Sequence, residues 1–105
     1  MERYRVRLSP RAIDDLQISF DWGIEFWGRE KAMSWVEQVQ HLIKTGLSSM
    51  PERCPIAPES SEFDIEIRQL KFHRYRILFT ISDTDRTVYV LRIRGPFNGR
   101  TLELD

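Results

Sequence analysis

Between Ile65 and Arg94 the chain reads IEIRQLKFHRYRILFTISDTDRTVYVLRIR, three short alternating runs separated by turn formers. A period of two puts successive side chains on opposite faces of an extended strand, so this stretch demands a sheet. In the middle run Tyr75, Ile77, Phe79 and Ile81 fall on one face, and Arg74, Arg76, Leu78 and Thr80 on the other. In the last run Tyr89, Leu91 and Ile93 fall on one side, and Val88, Val90, Arg92 and Arg94 on the other. Ser82-Asp83-Thr84-Asp85-Arg86 between them has the composition of a hairpin loop. One face is therefore a core face. The opposite face begins apolar and ends in arginines gathered at one end of the sheet.

Upstream, residues 3 to 8 alternate Tyr4, Val6 and Leu8 against Arg3, Arg5 and Arg7, which predicts a short strand with one buried face. Ser9-Pro10 is a helix start, with Ser9 as the N-cap and Pro10 at the first helical position. Ile13, Leu16, Phe20, Ile24 and Trp27 then recur at helical spacing, with Asp14 and Asp15 in the first turns, where the helix dipole favours acids. Gly28 ends this helix. Ala32, Trp35, Val36, Val39, Leu42 and Ile43 mark a second one, closed by Gly46 and Pro51. So short a connection forces an antiparallel helical hairpin, and its three tryptophans read as core. Residues 50–63, with three prolines and no period, read as a surface loop. Leu102 and Leu104 suggest a short last strand or an ordered extension. The expected fold is α+β: an N-terminal strand, an antiparallel helical hairpin, then a three- to four-stranded antiparallel sheet, all in one domain over residues 1–105.

A length of 105 residues supports one core without disulfide or metal staples. The single cysteine, Cys54, excludes an internal disulfide and reads as an idle thiol in a reducing compartment. No apolar run approaches membrane-spanning length, and MERYRVRLSPRA lacks a signal-peptide core, so the expectation is a soluble cytoplasmic protein without a membrane partner. Net charge is zero but segregated: residues 64–100 carry eight basic against four acidic side chains, +4, and the remainder carries −4. Such a basic sheet suits an acidic or polyanionic partner, or simply reflects solvated strand ends. Two histidines and one cysteine make no zinc set, and no phosphate loop or nucleophile elbow occurs, so no metal or cofactor is expected. What remains is the arginine cluster. Arg74 or Arg76 with Arg92 and Arg94, joined by Lys71, Arg68 and Arg5, has the chemistry to hold a phosphodiester backbone and stabilise charge developing on it. The alternative is a sheet face that docks a partner protein.

These residues, in this order, resemble the RelE/ParE superfamily of toxins from type II toxin–antitoxin systems, also called plasmid stabilisation proteins. The resemblance runs nearly end to end: the opening strand with Leu8-Ser9-Pro10-Arg11-Ala12, the apolar hairpin, Pro51 and Cys54-Pro55, Ile67-Arg68-Gln69-Leu70, Tyr75-Arg76-Ile77-Leu78-Phe79, and Val88-Tyr89-Val90-Leu91-Arg92-Ile93-Arg94-Gly95. It implies a growth-inhibiting toxin neutralised by a cognate antitoxin, as a homodimer or a toxin–antitoxin hetero-oligomer. RelE-like members cleave mRNA on the ribosome with basic residues of the sheet face. On that branch Arg76, Arg94 and Lys71 would be catalytic, with Arg68, Arg74, Arg92 and Arg100 as binding residues. ParE-like members inhibit DNA gyrase instead. Nothing after Gly95 is a histidine or tyrosine, and Lys71 is the sole lysine beside the Tyr-Arg strand; both departures favour the ParE-like branch. A third reading is a non-toxic relic that only binds its partner.

Overall fold

The structure, a computed structural model, describes residues 3–95 and Leu104. The chain runs through β1 (Arg5–Leu8), α1 (Pro10–Trp27), α2 (Arg29–Leu47), two 3-10 turns (Pro51–Arg53 and Pro58–Glu62), β2 (Arg68–Phe72), β3 (Tyr75–Ser82) and β4 (Thr87–Arg94). The four strands form one sheet in the order β1-β4-β3-β2, antiparallel except that β1 lies parallel to β4. The expected α+β architecture is what the chain forms, with the N-terminal strand completing the sheet at its far edge.

Ser9 fixes the turn from strand to helix. Its hydroxyl accepts from the Ala12 amide at 3.1 Å and donates to the Leu91 carbonyl at 2.8 Å, so one side chain caps α1 and pins it to β4. Gly28 alone joins the helices; its φ of +92° is closed to most L side chains, which is why a one-residue link needs glycine here. The helices pack on one sheet face through Ala12, Leu16, Val39, Ile43 and Leu47, against Ile77, Phe79, Val88, Val90 and Ile93.

Three details depart from the alternation expected of the sequence. Leu78 pairs with Arg92 but Phe79 pairs with Val90, so Leu91 is an extra residue in β4. This bulge shifts the phase of the strand. Val88, Val90 and Ile93 consequently share the helix-side core, whereas Leu91 joins Leu78, Ala57, Ile67, Phe63 and Leu104 in a second cluster. Residues 50–63 are not a bare loop: Pro51, Cys54 and Ala57 are buried, and Ala57 donates to the Ile67 carbonyl at 2.8 Å while Gln69 donates to that of Pro55 at 3.0 Å. The segment thus covers the outer edge of β2. Finally, the tryptophans are not all core, since Trp27 is 44% exposed beside Phe26 at the tip of the hairpin. Of the expected C-terminal strand, only Leu104 lies within the described residues.

Candidate functional site

The sheet register sets the geometry of the basic residues. Lys71 lies opposite Arg76, and Arg76 opposite Arg94, so the three form one row across β2, β3 and β4. Cross-strand partners share a face, which brings together the three side chains that the resemblance assigns to catalysis. Gln69, Leu78 and Arg92 make the neighbouring row.

The row is not open. The 3-10 turn at Pro58–Glu62 folds over it and sets Glu59 against Arg76. The Glu59 carboxylate accepts from both terminal nitrogens of Arg76, Nη1 at 3.0 Å and Nη2, and Gln69 Oε1 accepts from Nη1 at 2.9 Å. This forked, charge-assisted arrangement is the strong form of an arginine–carboxylate contact. The Arg76 hydrogen bonds hold the Glu59 carboxyl below its usual range, against the opposing effect of burial. In return Glu59 secures the charge on Arg76. Arg94 is 8% exposed, and burial, followed by the neighbouring Arg92 charge, disfavours its protonated form. Lys71 is exposed.

The other basic candidates lie elsewhere. Arg92 turns from the sheet face to α1, where Asp15 accepts from its Nε at 2.8 Å and its Nη2 at 3.0 Å. The same Asp15 carboxylate accepts from the Ile93 amide at 2.8 Å. Arg68 spends Nη1 on the carbonyls of Glu52 and Cys54, at 2.9 and 2.6 Å, and Nη2 on Glu66 at 2.9 Å. It therefore ties the Pro51–Arg53 turn to the sheet. Arg74 is exposed in the β2–β3 turn, next to His73, whose φ is +55°. Arg100 lies outside the described residues. Arg5 and Arg7 sit on β1 opposite Thr87 and Tyr89, well along β4 from Arg94.

Sequence reasoning did not identify Glu59, Gln69 or Asp15. Gln69 had a legible position, two residues before Lys71 on a strand and hence on the same face. Asp15 was read as a helix-dipole acid. Glu59 sits in an aperiodic stretch that offers no signal at all. Cys54 is buried, as its idle-thiol reading expects, and that burial raises its thiol pKa. Among the described residues no three His, Cys, Asp or Glu side chains gather as metal ligands, and no helix is long and apolar enough to cross a membrane.

A second surface lies along the outer edge of β1, which no other strand among the described residues covers. Val6, Leu8 and Ile43 line a groove of about 1040 Å³ between this strand and α2, with Arg3, Arg5 and Lys44 also lining it. In the parallel ladder Arg5 and Ser9 turn their amides to β4, donating to Arg86 and Val90, so the alternate amides of Val6 and Leu8 point outward.

The family model for the ParE toxin of the type II toxin–antitoxin system parDE matches residues 6–95. The chain belongs to the ParE toxin family. Its fold is that of the RelE/ParE superfamily. It resembles the chromosomal ParDE system from P. aeruginosa (TM-score 0.70, 21% identity, 88% of this chain and 95% of that one). It also resembles the RelBE2 toxin–antitoxin complex from Mycobacterium tuberculosis (TM-score 0.66, 22% identity, 93% and 97% covered). The archaeal RelE-RelB complex from Pyrococcus horikoshii OT3 has the same fold at TM-score 0.50 and 14% identity, with 91% and 98% covered. No curated protein matches the sequence. The chain is thus a toxin of a type II toxin–antitoxin system.

Proposed function

We propose that this toxin acts in the cytoplasm as a ParE-like inhibitor of DNA gyrase and is neutralised by a cognate antitoxin. The observation that supports it is the engagement of the arginines an RNA-cleaving face would need. Arg76 is held by Glu59, Arg92 by Asp15, and Arg68 by loop carbonyls and Glu66. The family model points the same way. Purified toxin should inhibit supercoiling by gyrase, and induction without antitoxin should raise the SOS response while mRNA stays intact. An inert supercoiling assay over a wide concentration range would sink this reading.

One observation favours the alternative, a ribosome-dependent mRNA endonuclease: the register brings Lys71, Arg76 and Arg94 into a single row. On that reading Arg76→Ala and Arg94→Ala each abolish toxicity and message cleavage, with Arg68, Arg74, Arg92 and Arg100 as candidate binding residues. If expression leaves growth unchanged, the chain is a non-toxic binding relic. The antitoxin's seat is the outer edge of β1, where an extended segment with apolar and acidic side chains would find outward amides and a groove lined by Arg3, Arg5 and Lys44. The matched structures include one described as a toxin–antitoxin complex and one as a RelE-RelB complex, which supports a hetero-oligomer here.

A further inference from the structure

We propose that the Lys71–Arg76–Arg94 row is a phosphate-binding site that the chain keeps closed, with the Glu59 carboxylate seated as an internal stand-in for the anion. Three observations carry it. Arg76 presents its guanidinium fork to Glu59 through both terminal nitrogens, the geometry with which arginine grips a planar or tetrahedral oxyanion. Nη1 of the fork donates to Gln69 Oε1 as well, a neutral acceptor that fixes the guanidinium and leaves its charge available. Cations stand directly opposite Arg76 on both neighbouring strands, a placement that repels unless an anion lies among them.

A phosphate suits this site better than the resident carboxylate. It carries more charge and more acceptor oxygens, and the site has charge to match: burial and the charges of Arg92 and Arg76 weigh against protonated Arg94, with Asp15 and Glu59 only partly offsetting them. The stand-in is also built to leave. Glu59 rides on a five-residue 3-10 turn, anchored through the Ser60 hydroxyl, which accepts from the Ile67 amide at 2.9 Å and donates to the Ile65 carbonyl at 3.4 Å. Beyond it Phe63 packs on the Leu78 cluster. A five-residue 3-10 turn with no buried residue of its own opens at lower cost than the sheet beneath it. The site is therefore gated by its own acid, whichever cellular target the toxin takes.

The test is phosphate binding by the full-length protein, followed calorimetrically and through the side-chain N–H resonances of Arg76. Inorganic phosphate and a short single-stranded oligoribonucleotide are the two probes. Glu59→Gln keeps the shape and removes the charge. It should bind inorganic phosphate about ten-fold more tightly than the unmodified toxin, and Glu59→Gln with Arg76→Gln should lose the gain. Ser60→Ala keeps Glu59 but loosens the turn, and should fall between the two. A gain for phosphate alone identifies a free anion as the ligand; a larger gain for the oligonucleotide identifies a phosphodiester. Equal affinity in Glu59→Gln and the unmodified toxin, with native amide spectra, would overturn the proposal. So would a gain that survives Arg76→Gln. If Glu59→Gln does not fold, an unchanged affinity in folded Ser60→Ala overturns it equally. The readout is binding, so a failure here leaves the gyrase reading untouched, and a failed supercoiling assay leaves this one untouched.

Discussion

Replacing Asp15 by alanine should cost this toxin a large fraction of its stability, although Asp15 lies on a helix that sequence reasoning treated as ordinary. β1 ends at Leu8 opposite Val90, so beyond that point no strand among the described residues pairs with the outer side of β4. The first turns of α1 fill the gap. Asp15 is 5% exposed and accepts three hydrogen bonds, two from Arg92 and one from the Ile93 amide. Its carboxylate thus stands in for a strand partner. Breaking a buried ion pair from one side costs about 3–5 kcal/mol. The Ile93 amide, deprived of its acceptor, would add about 1–3 kcal/mol if the two effects were independent. They share one carboxylate and do not add in full, so a total of about 4 kcal/mol is expected. Against a domain stability of about 5–15 kcal/mol this is severe, and it corresponds to a fall in Tm of roughly 15–30 °C.

Urea denaturation followed by circular dichroism measures the loss, and two further variants divide it. Asp15→Asn retains an oxygen for the Ile93 amide and should recover about 1–2 kcal/mol relative to alanine. Asp15→Leu combined with Arg92→Met replaces both charges by apolar groups and should be more stable than Asp15→Ala. An alanine variant within about 1 kcal/mol of the parent would refute the reasoning, because it would mean that the pair contributes no more than an exposed one.

Gly95→Ala should destabilise by about 1–3 kcal/mol, since a Cβ there would lie 2.6 Å from Cε2 of Tyr75, whose ring packs at a tilt against Trp35; thermal melting and tryptophan fluorescence would both report it. Gly28→Ala meets nothing within 4 Å but imposes a side chain at φ +92°, so about 1–2 kcal/mol is expected in the same melt from backbone strain alone. The stability gap between the parent and Glu59→Gln should depend on pH. Arg76 lowers the Glu59 carboxyl pKa in the folded state, so the contribution is complete above the unfolded value of about 4.3 and lost as pH falls through the folded one. With Arg76 31% exposed, the gap should be about 1–2 kcal/mol near neutrality and shrink below about pH 5; a gap that widens on acidification would contradict the ion pair.

What the sequence disclosed tracks how local each feature is. The α2 stripe was legible because Ala32, Val39 and Ile43 are buried by a single packing face with a helical period. The Ser9-Pro10 start was legible because capping is a contact within four residues. On α1 Leu16 is buried as the stripe expects, but the buried face is wider on one side and narrower on the other: Ile13 is 54% exposed while Ala12 and Asp15 are buried. No hydrophobicity pattern selects an aspartate for the inside; only the outer edge of β4, 78 residues downstream, does. The bulge at Leu91 was equally hidden, since Leu91 and Arg92 carry no glycine or other bulge signal. At the site, the row of cations was readable from alternation, but the acid that closes it came from an aperiodic turn.

The segregated charge takes a different meaning once the fold is known. A +4 sheet segment and a −4 remainder suggest an external polyanion when read along the chain. In the folded toxin, acids from the negative part meet arginines of the positive part: Asp15 holds Arg92, and Glu59 holds Arg76. Much of the complementarity is therefore satisfied internally, and it stitches the hairpin and the 3-10 turn to the sheet. This separates two surfaces that the sequence could not distinguish. A ligand for the arginine row must first displace Glu59 in a competition of like against like. At the outer edge of β1 the Tyr4 amide donates to the Ser48 carbonyl, but among the described residues no acid is seated against the outward amides of Val6 and Leu8, and Arg3, Arg5 and Lys44 line the groove there. Neutralisation through the β1 edge and ligand binding at the row would then be separable: changes at Arg5 and Lys44 should weaken antitoxin binding while leaving phosphate affinity in Glu59→Gln as it was.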